Sequence, residues 1–379
     1  MLDLTKINKK SVENKAAISS VGSTIIISAR PHIVSAISIQ IRMNGGQDVN
    51  VIDDYFDNII DNKDMLSSEY IIVDIEDYRD IAGIQQKIKY LFPVTSKKIF
   101  VGDVDSISFC DEMKRMGALY LHLDSQMMLL GTAIKKAGEI GSEISYTQKI
   151  SVLGCKGGCG STLMAFQLYK AIGELSHLPT LLVQGHTGTP DLDLISDVAL
   201  QRDGVITHVN PYQAMKIATE EEQWQFDAPD FKNYNVVIFE HNVSTQVRDK
   251  LAYIVPESDF IFVVVTRELS AVRNARLIID ELERTAPAQD GNKTFSKNII
   301  ILNENHLSRP NDLSNEDIEN YLGKKIDIYC SYIKDLAKNK TTSELDLFVA
   351  KMLGKKPGNE KSHDKNSKIL NILRFNKKK

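Results

Sequence analysis

The sequence predicts an α/β protein made of two doubly wound parallel-sheet domains, and three observations carry that prediction. Short β-branched runs alternate with amphipathic helical stretches along most of the chain, which is the pattern of parallel strands with helices on both faces of a sheet. The 379 residues are too many for one ordinary domain and enough for two or three, each with its own core. The alternation breaks once near the middle, in GSEISYTQ between Gly141 and Gln148.

Residues 1–20 are polar and unpatterned and read as a flexible N-terminal arm. A first domain over 21–140 holds five candidate strands: STIIIS from Ser23, VNVI from Val49, YIIVD from Tyr70, KKIFVG from Lys97 and ALYLHL from Ala118. A second domain over 148–353 opens with QKISVLG and continues with TLLV from Thr180, NVVIF from Asn235, FIFVVV from Phe260 and NIIIL from Asn298. From Gly354 the composition turns to Lys, Asn, Ser, Gly and Pro, so 354–379 reads as a basic linker and tail. No internal repeat at solenoid periods is present.

Composition excludes several classes. With 42% hydrophobic and 25% charged residues the chain is neither disordered, collagenous nor membrane-embedded. No apolar h-region opens it and no run approaches a spanning helix, so a cytoplasmic location is expected. The net charge of -4 is a sum of unlike parts: residues 355–379 carry 9 Lys+Arg against 2 Asp+Glu, leaving -11 for the remainder. An acidic body is a poor surface for phosphates, and no nucleic-acid partner is expected for it. Cys110, Cys155, Cys159 and Cys330 form no CxxC pair and lack a matching histidine set, so reduced thiols are expected rather than a zinc site or disulfides.

The segment KISVLGCKGGCGSTLMAFQLYKAI carries the chemistry. A buried strand runs into Gly154, then a glycine-rich turn, then a helix starting near Ser161 with apolar Leu163, Phe166 and Leu168. Glycines let backbone N–H groups converge, and the helix adds its positive dipole end, so the product is a phosphate cradle. An ordinary P-loop ends Gly-Lys-Ser/Thr, the lysine reaching the outer phosphates and the hydroxyl binding magnesium. Here that triplet is Gly160, Ser161 and Thr162: the hydroxyl is kept and the lysine is not. A lysine stands at the front of the loop instead, Lys156.

The run Lys156-Gly157-Gly158-Cys159-Gly160-Ser161-Thr162 resembles the deviant Walker A loop of the MinD/ParA superfamily, KGGxGKTT, with Ser161 in place of the second lysine. In that superfamily the leading lysine crosses to the partner's nucleotide, so the resemblance implies ATP, magnesium at Thr162, and a homodimer reached through Lys156. The segment Glu257 to Leu282 and the segment from Ile300 to Asp327 resemble the TadZ/CpaE branch, atypical ATPases of tight-adherence pilus assembly. The second places Asn303 where the family's adenine-contacting asparagine lies. Together these likenesses cover Gln148 to about Met352. That branch also carries an N-terminal receiver-like domain, which the five βα units before Gly141 match in length and order.

Departures from the pattern are as informative. A working receiver needs an acidic pair after its first strand and a lysine after its fifth; this chain has Ser28, Ala29 and Arg30 at the first place and His122, Leu123 and Asp124 at the second. Asp74 stands at the phosphoacceptor place without carboxylates to hold magnesium, which makes the domain a docking or dimerising module. In hydrolysing relatives two aspartates follow the strand after the first crossover; Gln184 and His186 occupy those places. Glu240 takes the position of the switch II aspartate. Phosphoryl transfer depends on charge neutralisation and water positioning, so turnover is expected to be weak or absent while backbone donors, Thr162 and Lys156 still bind ATP. His186 reads as a general base or as a solvent-exposed loop residue. Cys155 and Cys159 read as small apolar fillers or redox sensors.

The tail SKILNILRFNKKK places Ile369, Leu370, Ile372 and Leu373 on one helical arc opposite Asn371 and Arg374. Residues 368–379 thus suit an anionic membrane surface and resemble the targeting helix of MinD-type proteins; a disordered solubilising tail, or a helix packed on the body, stays open. The implied function is a localisation factor for a type IV tight-adherence pilus or secretion system, at the inner membrane or cell pole. Its implied partners are the pilus secretion ATPase and inner-membrane components. The rival functions are a slow ATPase cycling on the membrane and a chromosome- or plasmid-positioning protein.

Overall fold

The computed structural model describes residues 22–137, 146–285, 297–307, 309–332 and 343–355. The expected N-terminal arm and the amphipathic tail over 368–379 lie outside them. Tertiary contacts divide the chain into two units. One takes the chain up to Gln86 and resumes from Thr95 to the seam; the other takes Lys87–Val94 and everything from Tyr146.

The first sheet is five-stranded and parallel throughout. Its elements in chain order are β1 (Thr24–Ile27), α1 (Pro31–Met43), β2 (Val49–Ile52), β3 (Tyr70–Asp74), α2 (Ile81–Tyr90), β4 (Lys97–Gly102), α3 (Ile107–Arg115), β5 (Leu119–His122), α4 (Leu123–Gln126) and α5 (Leu130–Lys136). The strand order is β2-β1-β3-β4-β5. β1 and β3 are buried along their whole length, which is why they read as continuous apolar runs rather than alternating ones. Order reverses between β1 and β3, and in such sheets ligands sit beyond the strand ends at that reversal. Arg30 and Asp74 stand there.

The second unit comprises β6 (Gln148–Gly154), α6 (Ser161–Leu175), β7 (Thr180–Gln184), α7 (Leu192–Ser196), β8 (Thr207–Asn210), β9 (Gln213–Ile217), β10 (Val236–Asn242), α8 (Val247–Ile254), β11 (Phe260–Val265), α9 (Leu269–Thr285), β12 (Lys297–Asn303), α10 (Asn315–Leu322), β13 (Ile328–Cys330) and α11 (Ser343–Met352). Its sheet runs β13-β12-β11-β6-β10-β7-β9-β8. All five expected strands of this domain are present, with β6 between β10 and β11. Three strands are additional to the expectation. β8 and β9 form an antiparallel hairpin at one edge, so this sheet is parallel except there. THVN and QAMKI lack the β-branched density that marks buried parallel strands, and β13 has only three residues. α6 lies against the sheet with Met164, Phe166, Leu168, Tyr169 and Ile172 buried, apolar around most of its circumference as a covered helix must be. No helix among the described residues is long and apolar enough to cross a membrane.

Candidate functional site

The carboxyl ends of β6, β10, β7 and β12 converge on the glycine-rich turn between β6 and α6. Gly160 caps α6 with φ 87° and Gly158 has φ 77°, left-handed values that admit glycine at little cost. At Gly160 a Cβ would also collide with the Asn303 amide, and at Gly154 it would lie 2.7 Å from Ser161 Oγ. Gly157 and Gly158, by contrast, have open space where a Cβ would be, so the rim of the loop faces solvent.

Three asparagine amides tie the loop's carbonyls. Asn274 Nδ2 on α9 donates to Cys155 O at 3.1 Å, Asn303 Nδ2 at the end of β12 to Cys159 O at 2.9 Å, and Asn305 Nδ2 to Gly158 O at 3.1 Å. A peptide's C=O and N–H point in opposite directions, so pinning these carbonyls turns the following N–H groups the other way. The first helix turn adds its own N–H groups; the first intrahelical bond of α6 is Met164 N to Gly160 O. The arrangement fits a phosphate group, whose oxygens take such donors.

Charge around the loop is sparse. Lys156 is ion-paired with Glu268, at the start of α9, both half-exposed. Ser161 does not face the open side. Its Oγ donates to Glu240 Oε1 at 2.6 Å beneath the first turn of α6, where Glu240 is buried. Burial raises the Glu240 carboxyl to about 7, against the Ser161 hydrogen bond and with the negative charge of Asp191 adding to the rise. Cys155 and Cys159 are buried behind the loop, Cys155 Sγ contacting Val264 O at 3.0 Å. The Cys155 thiol is pushed up and the Cys159 thiol pulled down by the hydrogen bond between them, with backbone N–H groups of Lys156 and Ser161 also favouring the Cys159 thiolate. None of the four cysteines forms a disulfide, and Cys110 is only half-buried.

Thr162 lies one residue into the helix. Its Oγ1 is 3.3 Å from Gln184 Nε2, at the end of β7. Gln184 is buried and spans the turn that follows. Its Nε2 donates to Asp191 Oδ1 at 2.8 Å, and its Oε1 accepts the N–H groups of Asp191 and Leu192 at 3.1 and 3.0 Å. His186 is exposed on that turn. Of the expected site residues, then, 156–162, Gln184, Glu240 and Asn303 come together, whereas His186 is exposed. Sequence reasoning missed Asp191, Glu268, Asn274 and Asn305. The only sequence signal for any of them is polar: Asn274 interrupts the apolar pattern of α9, and Asn305 follows Asn303 at a strand end. The oxygens present, the Thr162 hydroxyl and the Asp191 carboxylate on either side of one amide NH2, are of the hard type magnesium takes.

In the first unit, the Asp74 carboxylate takes three hydrogen bonds from two side chains. Arg30 Nε donates to its Oδ2 at 2.8 Å while Nη2 bonds Oδ1 at 2.5 Å, and Ser28 Oγ donates to Oδ2 at 2.7 Å. Arg30 also bonds Asp103 Oδ2 at 2.7 Å. The two carboxylates raise the guanidinium far above its ordinary value. A fixed cation thus sits on the Asp74 carboxylate.

No protein-family model matches the chain, and no curated protein matches it. Solved structures of ParA and MinD proteins are similar to it. A ParA family ATPase from Chlorobium tepidum shares 15% identity over 55% of this chain and 97% of its own, with a TM-score of 0.39. MinD from Aquifex aeolicus shares 18% over 56% of this chain and 100% of its own, TM-score 0.42. MinD from Pyrococcus horikoshii, solved with Mg-ADP, shares 15% over 55% and 94%, TM-score 0.39.

Proposed function

We propose that the chain is a nucleotide-binding, hydrolysis-poor assembly factor of the TadZ/CpaE kind, acting in a type IV tight-adherence pilus or secretion system. The observation that carries the biochemical half is Ser161. At the place of the phosphate-reaching lysine stands a short hydroxyl that turns down to the buried Glu240, while the glycine turn and its N–H groups are intact. A site that keeps its cradle but has lost its outer cation and both aspartates is suited to holding ATP with magnesium and poorly suited to cleaving it, because phosphoryl transfer is almost wholly charge stabilisation and positioning. ATP then acts as a structural ligand that favours the bound form by mass action. The second domain, 148–353, forms a homodimer, with Lys156 released from Glu268 toward the other copy's nucleotide. The first, 21–140, is a receiver-like docking module whose Asp74 is neutralised by Arg30 rather than phosphorylated. The pilus assignment rests on the likeness of Glu257 to Leu282 and of Ile300 to Asp327 to that branch. The protein works in the cytoplasm against the inner membrane or cell pole, with the pilus secretion ATPase as partner.

Calorimetry and a phosphate-release assay on the full chain test this reading. ATP with magnesium binds, Thr162→Ala weakens binding by about tenfold or more, and turnover stays near background. Sustained hydrolysis abolished by Thr162→Ala would instead establish a slow ATPase. Recovery of the pilus secretion ATPase with the tagged protein, and loss of pili on its deletion, are the expected cellular results.

A further inference from the structure

We propose that Asp191 is the residue through which this chain holds the divalent cation at its nucleotide, in place of the two aspartates that Gln184 and His186 have replaced. The inference rests on the nucleotide-binding reading of the loop. At the end of β7, Gln184 is fixed at both ends of its amide. Its oxygen takes the N–H groups of Asp191 and Leu192, and its nitrogen bonds Asp191 Oδ1 at 2.8 Å while reaching Thr162 Oγ1 at 3.3 Å. A single NH2 group therefore separates the Thr162 hydroxyl from the Asp191 carboxylate.

The other acids and bases of the site are placed elsewhere. Glu240 has one oxygen committed to Ser161 and lies beneath the helix turn. His186 is exposed, and Glu268 is engaged with Lys156. Asp191 is half-buried, at the edge of the cluster rather than under it. Magnesium binds through one or two carboxylates together with phosphate oxygens and retained waters, and a donor amide cannot ligate it. The Gln184 NH2 thus holds one oxygen of the Asp191 carboxylate, and the other would serve a hydrated cation beside a bound triphosphate. Gln184 is a positioning residue: it aims the carboxylate. Without the cation, the Asp191 charge opposes the phosphates.

The test is calorimetric titration of ATP into the full chain, in excess magnesium and in EDTA, for wild type and Asp191→Asn. Asparagine keeps the Oδ1 acceptor for Gln184 and removes only the charge. The expected result is that Asp191→Asn binds ATP in EDTA as tightly as wild type or tighter, while the affinity gained from magnesium shrinks by about tenfold or more. A full magnesium gain in Asp191→Asn overturns the proposal. So does a wild type that binds ATP equally with and without magnesium, a result that leaves the nucleotide-binding reading standing. No ATP binding in either buffer defeats that reading and this one with it.

Discussion

Glu240 and His241 are neighbours on β10 with opposite responses to burial. Glu240 is raised to about 7, chiefly by desolvation, with Ser161, Asp191, Cys159 and Gln184 around it. His241 is lowered to about 3 by desolvation and, less, by Lys250; its ring stacks on Trp224 at 5.2 Å, and neither ring nitrogen has a hydrogen-bond partner among the described residues. Both are neutral in the folded protein over a shared interval. Between the ordinary carboxylate value of 4.5 and the ordinary imidazole value of 6.5, unfolding releases a proton from Glu240 and takes one up at His241. The first makes stability fall as pH rises and the second makes it rise, each by about 1.4 kcal/mol per pH unit, so they cancel. Urea unfolding across this interval is expected to show it. Relative to wild type, His241→Phe loses stability as pH rises and Glu240→Gln gains it. Three parallel curves would mean that neither group is neutral in the fold.

At the scale of elements, the glycine loop is shaped as much by α9 and β12 as by its own glycines. Asn303 is buried and spends its amide on Cys159 O, directly against Gly160. Asn303→Ala is expected to strand that carbonyl at a cost of about 1–3 kcal/mol and to weaken ATP binding as the loop loosens. Unchanged unfolding midpoint and unchanged ATP affinity would show the loop to be held by its glycines alone. The loop itself was legible in the sequence because strand, glycines and helix are contiguous. Its braces were not. Asn303 drew notice only through a family position, Asn274 sits mid-helix, and Asn305 lies at a strand end with no motif around it. The same holds at the reversal point of the first sheet. The absence of an acidic pair after β1 is plain in Ser28, Ala29 and Arg30, but that Arg30 itself closes on Asp74 depends on β1 and β3 lying side by side.

For the whole molecule the decisive quantity is charge by position. A body at -11 joined to a segment at +7 disfavours nucleic acid for the first and favours an anionic surface for the second. The full chain is expected to sediment with vesicles containing anionic lipid, less so as salt rises, and a chain ending before Lys355 is expected to remain in the supernatant. Equal sedimentation of both would place any membrane affinity in the body.

What the sequence determined by itself was local: the alternation that makes two α/β sheets, the glycine turn, and the serine, Ser161, that directly follows its last glycine. Periodicity and backbone turn chemistry act over a few residues, so they can be read in order. What only the tertiary structure decided was which distant side chains meet the loop. Glu268 reaches Lys156 across 112 positions and Asn303 reaches Cys159 across 144. Even Asp191, seven positions from Gln184, faces Thr162 only because β7 ends beside β10 and the head of α6. Strand order sets these meetings, and strand order follows from how the sheets bury their apolar faces as a whole, which no short stretch of sequence encodes.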